Sequence, residues 1–518
     1  MVRHGLASGG DGLKESKLME RIRGGACTVL GYGISNRPLV AWLVSHGAGS
    51  VTVRDARTAE DMAASGDQPG GDLAVLRAMG VTYLGGPDYL EGLADSPGAV
   101  IFRSPGIRPD REPIRQAVAA GAVLSSEMEL FMELTEAVVL GVTGSDGKTT
   151  STTLTSLLVS EALKERGAGH MYLGGNIGSP LLPLVDDMTA RDVAVVELSS
   201  FQLMTMTRSP YRAAVTNLAE NHLNWHTDMA EYVAAKTNIL THGPAGGGVL
   251  NADNPLTVRL GLSLPDSLPL TWFSSTRAGR AHVVPPERLT RGCPDGAVYE
   301  ADGWILRETA EGRVPLLALS RIRLPGRHNL ENYMTALALA EGWVTPDIAG
   351  RVADSFTGVP HRLELVREKD GVRYYNSSID SSPTRTAAAL SAMADMNARA
   401  QAAGEPPRRP PIVICGGRDK HLDLAPLADA LCRMAGAVVL TGEARELIRG
   451  ALATCPLYDP EALPVHVIPD WDEAMLAACR MARPGDTVLL SPACTSFDAF
   501  RNFEERGQRF RETVNSLL

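Results

Sequence analysis

Val139-Leu-Gly-Val-Thr-Gly-Ser-Asp-Gly-Lys-Thr-Thr150 is the stretch from which the fold can be read. The apolar run from Ala137 to Val142 predicts a buried strand, and Leu154, Leu157 and Leu158 recur at helical spacing behind Lys148-Thr149-Thr150. Between them lies a loop containing Gly141, Gly144 and Gly147. Strand, glycine loop, Lys-Thr and helix make a phosphate cradle, because glycines let backbone N–H groups turn inward and the helix N-terminus adds partial positive charge. Gly144, Ser145, Asp146, Gly147, Lys148, Thr149 and Thr150 are the candidate nucleoside-triphosphate contacts. Lys148 would reach the β- and γ-phosphates, and the Thr149 hydroxyl would take a Mg²⁺ ligand position. The spacing from Gly141 to Gly147 is one residue longer than the common P-loop pattern, and the competing reading is an ordinary glycine turn.

A chain of 518 residues suggests about three domains. A hydrophobic content of 44% with 21% charged residues is that of an α/β enzyme with ample core. The net charge of −10 argues against nucleic acid as a partner. No apolar run approaches the ~20 residues of a membrane span. Residues 1–24 lack the apolar segment of a signal peptide and read as a flexible extension, or as a start site placed upstream of Met19. The seven cysteines (27, 293, 415, 432, 455, 479 and 494) form no Cys-x-x-Cys pair, which fits a reducing cytoplasm without structural disulfides.

Ahead of the glycine loop, Cys27-Thr-Val-Leu-Gly-Tyr-Gly-Ile-Ser-Asn36 is a strand entering a Gly-x-Gly turn, followed by a helix and a second strand that ends at Asp55. This opens a Rossmann-like unit with an acid about where a ribose would be held. Asn36 stands where a third glycine would be, so NAD(P), another nucleotide and a purely structural turn all remain open. Ala99 to Gly106 is a later strand ending in Ser104-Pro-Gly, beyond which an open parallel sheet would hold ligand. Behind the loop, Gly174-Gly-Asn-Ile-Gly178 is a tight polar turn, and Asp192 to Ser200 is a buried strand presenting Glu197, a usual magnesium position beside a P-loop strand. Tyr211 to Asn217 is a strand running into a loop crowded with imidazoles, His222 and His226. Lys236 follows in a helix from Met229 to Leu240. Singly, such His and Lys side chains are usually solvated or core residues, and Glu197 could be a strand-tip acid.

Taken in this order, P-loop, Glu197, His222 and Lys236 resemble the Mur ligase superfamily, from about residue 26 to the C-terminus. The resemblance implies an α/β protein of three domains. These are a Rossmann-like UDP-binding domain (25–135), a central P-loop ATPase-type domain (136–358) and a C-terminal Rossmann-like amino-acid-binding domain (359–518). It implies an ATP-dependent amide ligase, in the branch that adds D-glutamate to UDP-N-acetylmuramoyl-L-alanine through an acyl phosphate during peptidoglycan precursor synthesis. It further implies two Mg²⁺ ions held by Thr149, Glu197, His222 and Lys236, the last as an N-carboxylated lysine. Gly31, Gly33, Ile34, Ser35, Asp55, Arg57, Ser104 and Asn176 match the UDP-substrate pocket, with Asn176 near the uracil. Asn329 and Asn332, in Leu324-Pro-Gly-Arg-His-Asn-Leu-Glu-Asn332, match adenine contacts, and Arg362 a contact to the transferred phosphate.

In the last domain the resemblance places the glutamate on Ser381, Lys420, Ser496 and Phe503. One motif departs from the family. Asn376-Ser-Ser-Ile-Asp-Ser381 has Ser377 where a ribose-binding carboxylate is common and Ile379 where a lysine is common, which predicts weaker ATP binding unless Asp380 supplies the carboxylate. Residues 396–411, rich in Pro and Arg, read as an exposed insertion. Cys494 has no base at a recognisable spacing and does not read as a nucleophile. Competing functions are a sibling ligase adding another amino acid or L-glutamate, and a non-catalytic nucleotide-binding relative. The leading domain argues against a folate polyglutamylase, and the lack of paired cysteines against a zinc-ribbon amidotransferase partner. A monomer acting on small molecules is expected.

Overall fold

The computed structural model describes residues 16–65, 70–220, 225–276, 297–309, 312–324, 326–402, 404, 406–419 and 422–517. Its first sheet contains β1 (Ala26–Leu30), β2 (Ser50–Asp55), β3 (Thr82–Gly85), β4 (Val100–Arg103) and β5 (Val123–Ser125). The order is β3-β2-β1-β4-β5, all parallel, so the chain reverses its direction of travel across the sheet between β1 and β4. Crevices at such reversals are where open α/β sheets hold ligands. Val29, Val53 and Phe102 are fully buried at the centre of this sheet, as continuous apolar runs in parallel strands require.

The second sheet is built from β6 (Val138–Thr143), β7 (Met171–Gly175), β8 (Val193–Glu197), β9 (Arg212–Val215), β10 (Gly248–Asn251) and β11 (Leu270–Ser274), then β12 (Val298–Ala301), β13 (Trp304–Thr309) and β14 (Gly312–Ala318). In the order β14-β13-β12-β11-β10-β9-β6-β8-β7, the P-loop strand β6 lies between β8 and β9. The last two pairings are antiparallel, so the stretch after Arg259 extends the sheet sideways as a meander. The third sheet contains β15 (Glu364–Lys369), β16 (Val372–Asn376), β17 (Ile412–Gly416), β18 (Ala437–Thr441), β19 (Val465–Val467) and β20 (Thr487–Ala493), in the order β15-β16-β20-β17-β18-β19. The chain is thus α/β, with three sheets among the described residues, and by contacts it divides into two units, 1–322 with 327–354 and 323–326 with 355–518.

The first two sheets share a unit and one apolar core that runs through both, and arginine side chains tie them further. Arg103, 1% exposed, donates to the carbonyls of Pro105, Ile107 and Phe201 at 2.6–2.9 Å, and burial lowers its pKa to about 10. Arg108 pairs with Glu231 at 2.8 Å and lies 5.0 Å from the Trp225 ring centroid. One sequence expectation is corrected, and a second, the exposed 396–411 segment, gains detail. Residues 17–22 form a helix capped by Ser16 that buries Leu18, Met19 and Ile22, so the extension is anchored there by apolar residues on one helical face. The 396–411 segment begins as the end of a helix, Pro383–Ala402, and its Arg408 backbone is tied to Asn397 by two hydrogen bonds.

Glu127, at the start of the helix Glu127–Leu134, accepts from the N–H of Leu182, and burial pushes its pKa up to about 7. An acid with a raised folded pKa stabilises the fold while protonated. That contribution is complete below the ordinary value near 4.5 and is lost as pH rises through about 7. Glu127→Gln should therefore flatten the pH dependence of urea unfolding between these limits and stabilise the protein at pH 8 by up to about 3 kcal/mol. Unchanged or lower stability of the variant at pH 8 would contradict the buried-acid account.

Candidate active site

The glycine loop after β6 is held from the protein side by the segment that follows β9. Ser145 N donates to Asn217 O at 2.9 Å, and Asp146 N to Asn217 Oδ1 at 2.8 Å. Thr216 Oγ1 donates to Asp146 O at 2.6 Å. The Ser145 hydroxyl points inward, donating to Ala219 O at 2.9 Å and pairing with Tyr232 Oη at 2.9 Å, so Ser145 fixes the course of the loop rather than facing phosphate. Gly144 has φ 147° and Gly147 φ 77°, both costly for other residues. A Cβ on Gly144 would overlap Thr216 Oγ1, and one on Gly147 would overlap Asn332 Oδ1. The helix Lys148–Arg166 starts directly behind Gly147, with Thr149 buried in its first turn.

Asn332 belongs to the helix Arg327–Leu339 and packs on the cradle, accepting from Ser151 Oγ at 3.2 Å and donating to Asn329 Oδ1 at 3.3 Å. The two candidate adenine contacts are therefore neighbours at the edge of the phosphate loop.

Two further groups converge on the loop. Lys148 Nζ donates to Ser145 O at 2.8 Å. Lys236, only 2% exposed, donates to Gly144 O at 2.7 Å and Thr143 Oγ1 at 3.3 Å, with its Nζ 4.8 Å from the Tyr232 ring centroid. Burial first, and the Lys148 cation second, hold the Lys236 amine far below the ordinary lysine range. Glu197, 1% exposed at the end of β8, accepts from Asn176 Nδ2 at 2.8 Å through Oε1. Its Oε2 is buried without a hydrogen-bond partner. A buried carboxylate oxygen left unsatisfied is costly, and a hard cation seeking oxygen ligands would satisfy it. Glu197 and the Thr149 hydroxyl thus fit magnesium. Among the described residues no three His, Cys, Asp or Glu side chains cluster as a metal site.

His222 lies outside the described residues. Its neighbour His226 is structural: 2% exposed, paired with Ser200 Oγ at 2.9 Å and Glu231 at 3.2 Å, its pKa lowered by burial. Asn176 is exposed, and one N–H of its amide is engaged by Glu197, so it also orients the carboxylate.

At the reversal of the first sheet, Gly31 (φ 82°) faces Ser104, whose Cβ lies 3.0 Å from where a Gly31 Cβ would stand. Ile34, in the same loop with Gly33 and Ser35, is 81% exposed, the open apolar surface a planar base could cover. Asp55 differs from the ribose-binding expectation. It is buried, accepts from Tyr32 N at 2.7 Å, and binds Arg57 through both oxygens at 2.9–3.0 Å. The carboxylate fixes the loop and Arg57, leaving the backbone and Arg57 to face ligand. Asn36 donates to Leu30 O and Gly31 O, so it closes the turn where a third glycine was missed.

In the C-terminal unit the loops after β16, β17 and β20 meet at one sheet edge. Arg418 and Thr495 exchange backbone hydrogen bonds at 2.9 and 3.2 Å, and Asp380 O accepts from Ala493 N. Ser381 Oγ donates to Ile379 O, Ser496 is buried, and Phe503 is half-buried with its carbonyl accepting from Ser378. Arg362 is exposed, and Lys420 lies outside the described residues. Asp380 is not the displaced ribose contact, because its buried carboxylate accepts from Ser491 Oγ at 2.9 Å. Arg506, unremarked in the sequence, is fully buried and donates to Ser378 Oγ, Ser378 O and Cys494 O at 2.9–3.2 Å, holding two of these loops together.

Residues 142–340 match the Mur ligase middle domain and residues 361–494 the Mur ligase glutamate ligase domain. The UDP-N-acetylmuramoylalanine–D-glutamate ligase of Ruminiclostridium cellulolyticum is 39% identical over 492 residues, spanning 94% of this chain and 96% of its own. The ligase of the same name from Symbiobacterium thermophilum is 40% identical over 503 residues, spanning 97% and 99%. Among solved structures, the UDP-N-acetylmuramate-alanine ligase of Thermotoga maritima shares the fold with a TM-score of 0.50 at 17% identity, covering 95% of this chain and 99% of its own.

Gly144→Ala should preserve the fold, since the loop can yield locally, but cut ATP-dependent turnover at least a hundredfold by displacing Thr216 and with it Asp146. Circular dichroism and phosphate release measured together check this, and turnover within tenfold of the parent would mean that the loop does not hold phosphate.

Proposed function

The chain belongs to the Mur ligase family, and we infer from that premise that it joins D-glutamate to UDP-N-acetylmuramoyl-L-alanine in peptidoglycan precursor synthesis. The observation that carries this is the alignment of nearly the whole chain with ligases of that reaction. The substrate carboxylate attacks the γ-phosphorus of ATP, giving an acyl phosphate and ADP. The glutamate amine then attacks the acyl carbon, an amide bond forms, and inorganic phosphate leaves.

In this reading Lys148 and the loop N–H groups stabilise charge on the transferring phosphoryl group. Magnesium, when bound, neutralises phosphate charge and aligns the attack, and Thr149 and Glu197 would hold it. Asn329 and Asn332 flank the cradle where an adenine edge needs both a donor and an acceptor. The uridine nucleotide is assigned to Gly31, Gly33, Ile34, Ser35, Arg57 and Ser104, with Asp55 and Asn176 as supports. Arg362 is assigned to the transferred phosphate, and Ser381, Lys420, Ser496 and Phe503 to the glutamate. A cation for one carboxylate and neutral donors for the other would pin both ends and set the stereochemistry.

Lys236 is proposed to react with CO₂. Its neutral amine adds to the carbon and releases one proton, so an uncharged group beside Lys148 becomes an anionic carbamate. The desolvated amine and the Lys148 charge favour this, and with His222 the carbamate would serve a second magnesium. A cytosolic monomer is part of the same reading.

Phosphate release with UDP-N-acetylmuramoyl-L-alanine, ATP and Mg²⁺ should be stimulated most by D-glutamate among D- and L-amino acids. Preference for L-glutamate or a neutral amino acid would move the chain to a sibling activity, and no stimulation by any would make it a non-catalytic relative. Lys236→Ala should lose at least a hundredfold in kcat and regain part of it with added formate or acetate, small anions that fit the vacated position. A variant insensitive to carboxylates would remove the carbamate from the scheme.

A further inference from the structure

The turn after β4, Ser104-Pro-Gly-Ile-Arg108, begins with a residue assigned to the UDP-substrate and ends with one that grips the central part of the chain. It has little internal give. Arg103 Nη1 donates to Pro105 O at 2.9 Å and Ile107 O at 2.6 Å, and Ile107 N donates to Ser104 O at 3.0 Å. A shift of Ser104 is therefore carried to Arg108 rather than absorbed between them.

Arg108 donates to Trp225 O and, at 2.8 Å, to Glu231 Oε1, with Asp110 as its remaining partner at 2.7 Å. Its guanidinium lies 5.0 Å from the Trp225 ring centroid, and the Trp225 indole N–H returns to Gly106 O at 3.3 Å. Glu231 sits in the first turn of the helix Met229–Thr241, and its Oε2 accepts from Thr227 N at 2.8 Å and pairs with His226 Nδ1 at 3.2 Å. Lys236 follows on the same helix, about a turn and a half further on. The same segment also meets the chain just beyond Glu197. His226 Nε2 pairs with Ser200 Oγ at 2.9 Å, and the Phe201 ring lies 4.4 Å from Trp225 and 5.7 Å from His226. Arg103 Nη2 closes the circuit by donating to Phe201 O at 2.7 Å.

We propose that Arg108 is a positioning residue that couples occupancy of the UDP-substrate turn to the placement of Lys236 and Glu197. The proposal rests on the ligase reading, in which Ser104 contacts the UDP-substrate and the other two serve magnesium. Arg108 acts through Trp225 and Glu231. A carbonyl, a carboxylate and a ring face are met at once by its planar guanidinium, which a lysine ammonium cannot reproduce. Such coupling is reciprocal: whatever affinity the UDP-substrate gains from bound nucleotide, the nucleotide gains from bound UDP-substrate.

The test is calorimetric titration of UDP-N-acetylmuramoyl-L-alanine into the full-length protein, with and without Mg²⁺ and a non-hydrolysable ATP analogue. In the parent the analogue should tighten UDP-substrate binding by about fivefold or more. In Arg108→Ala and Glu231→Gln that gain should fall to about twofold or less, while each ligand alone binds within about threefold of the parent. Their kcat should drop by about tenfold or more through misplacement of the Lys236 helix, with the KM for D-glutamate little changed. Arg108→Lys should recover part of the coupling through its ion pair. A parent without coupling, or variants that melt earlier yet couple as the parent does, would overturn the proposal. A parent that binds no UDP-substrate would sink the ligase reading itself, and this inference with it.

Discussion

A primary amine buried almost completely, with backbone and hydroxyl oxygens as its hydrogen-bond acceptors, is the constraint around which the central site is arranged. Lys236 reaches Thr143 Oγ1 and Gly144 O, from the last residue of the P-loop strand and the glycine that follows it. Leaving a cation there, beside Lys148 and away from water, is expensive. The unpaired Glu197 oxygen is the complementary strain. Phosphate charge and a hard cation would relieve both, and the carbamate proposed for Lys236 would remove the first altogether. A local conflict that the fold alone does not resolve is the mark of a functional site rather than of a structural core.

That conflict needs a rigid frame, and much of the frame is charge buried for geometry. Arg103 caps carbonyls from both sheet-centred parts of the N-terminal unit, and Arg108 clamps the loop that leads to the helix of Lys236. In the C-terminal unit Arg506 does the same for the loops after β16 and β20. In each case a planar guanidinium spans several acceptors that a shorter side chain could not reach together.

Strands, glycine loops and the order of site residues were legible because each has a local signal: apolar runs, turn glycines and a Lys-Thr at a helix start. Partnerships were not. Nothing near Asp55 says that its carboxylate belongs to Tyr32 and Arg57, since an acid at a strand end looks alike whether it binds ribose or backbone. Asp380 likewise turns inward to a residue 111 positions away, and Arg506 gathers acceptors from distant segments. The helix at residues 17–22 was missed because six residues carry too short a pattern to distinguish an anchored turn from a tail. His222 and Lys420 lie outside the described residues, so their placement rests on the sequence.

The packing of Gly144 and Gly147 has a consequence for inhibition. Each has a backbone conformation that side chains resist, and each has a neighbour's oxygen where a Cβ would go. A competitive inhibitor usually loses potency when the target exchanges a side chain it touches. An inhibitor that hydrogen-bonds to the main chain at these two positions would meet no such exchange, since any coding change there presses on a neighbouring oxygen, displaces the loop and costs the enzyme its own turnover. Resistance would have to come from more distant substitutions, uptake or expression, and the loop itself would have no escape route.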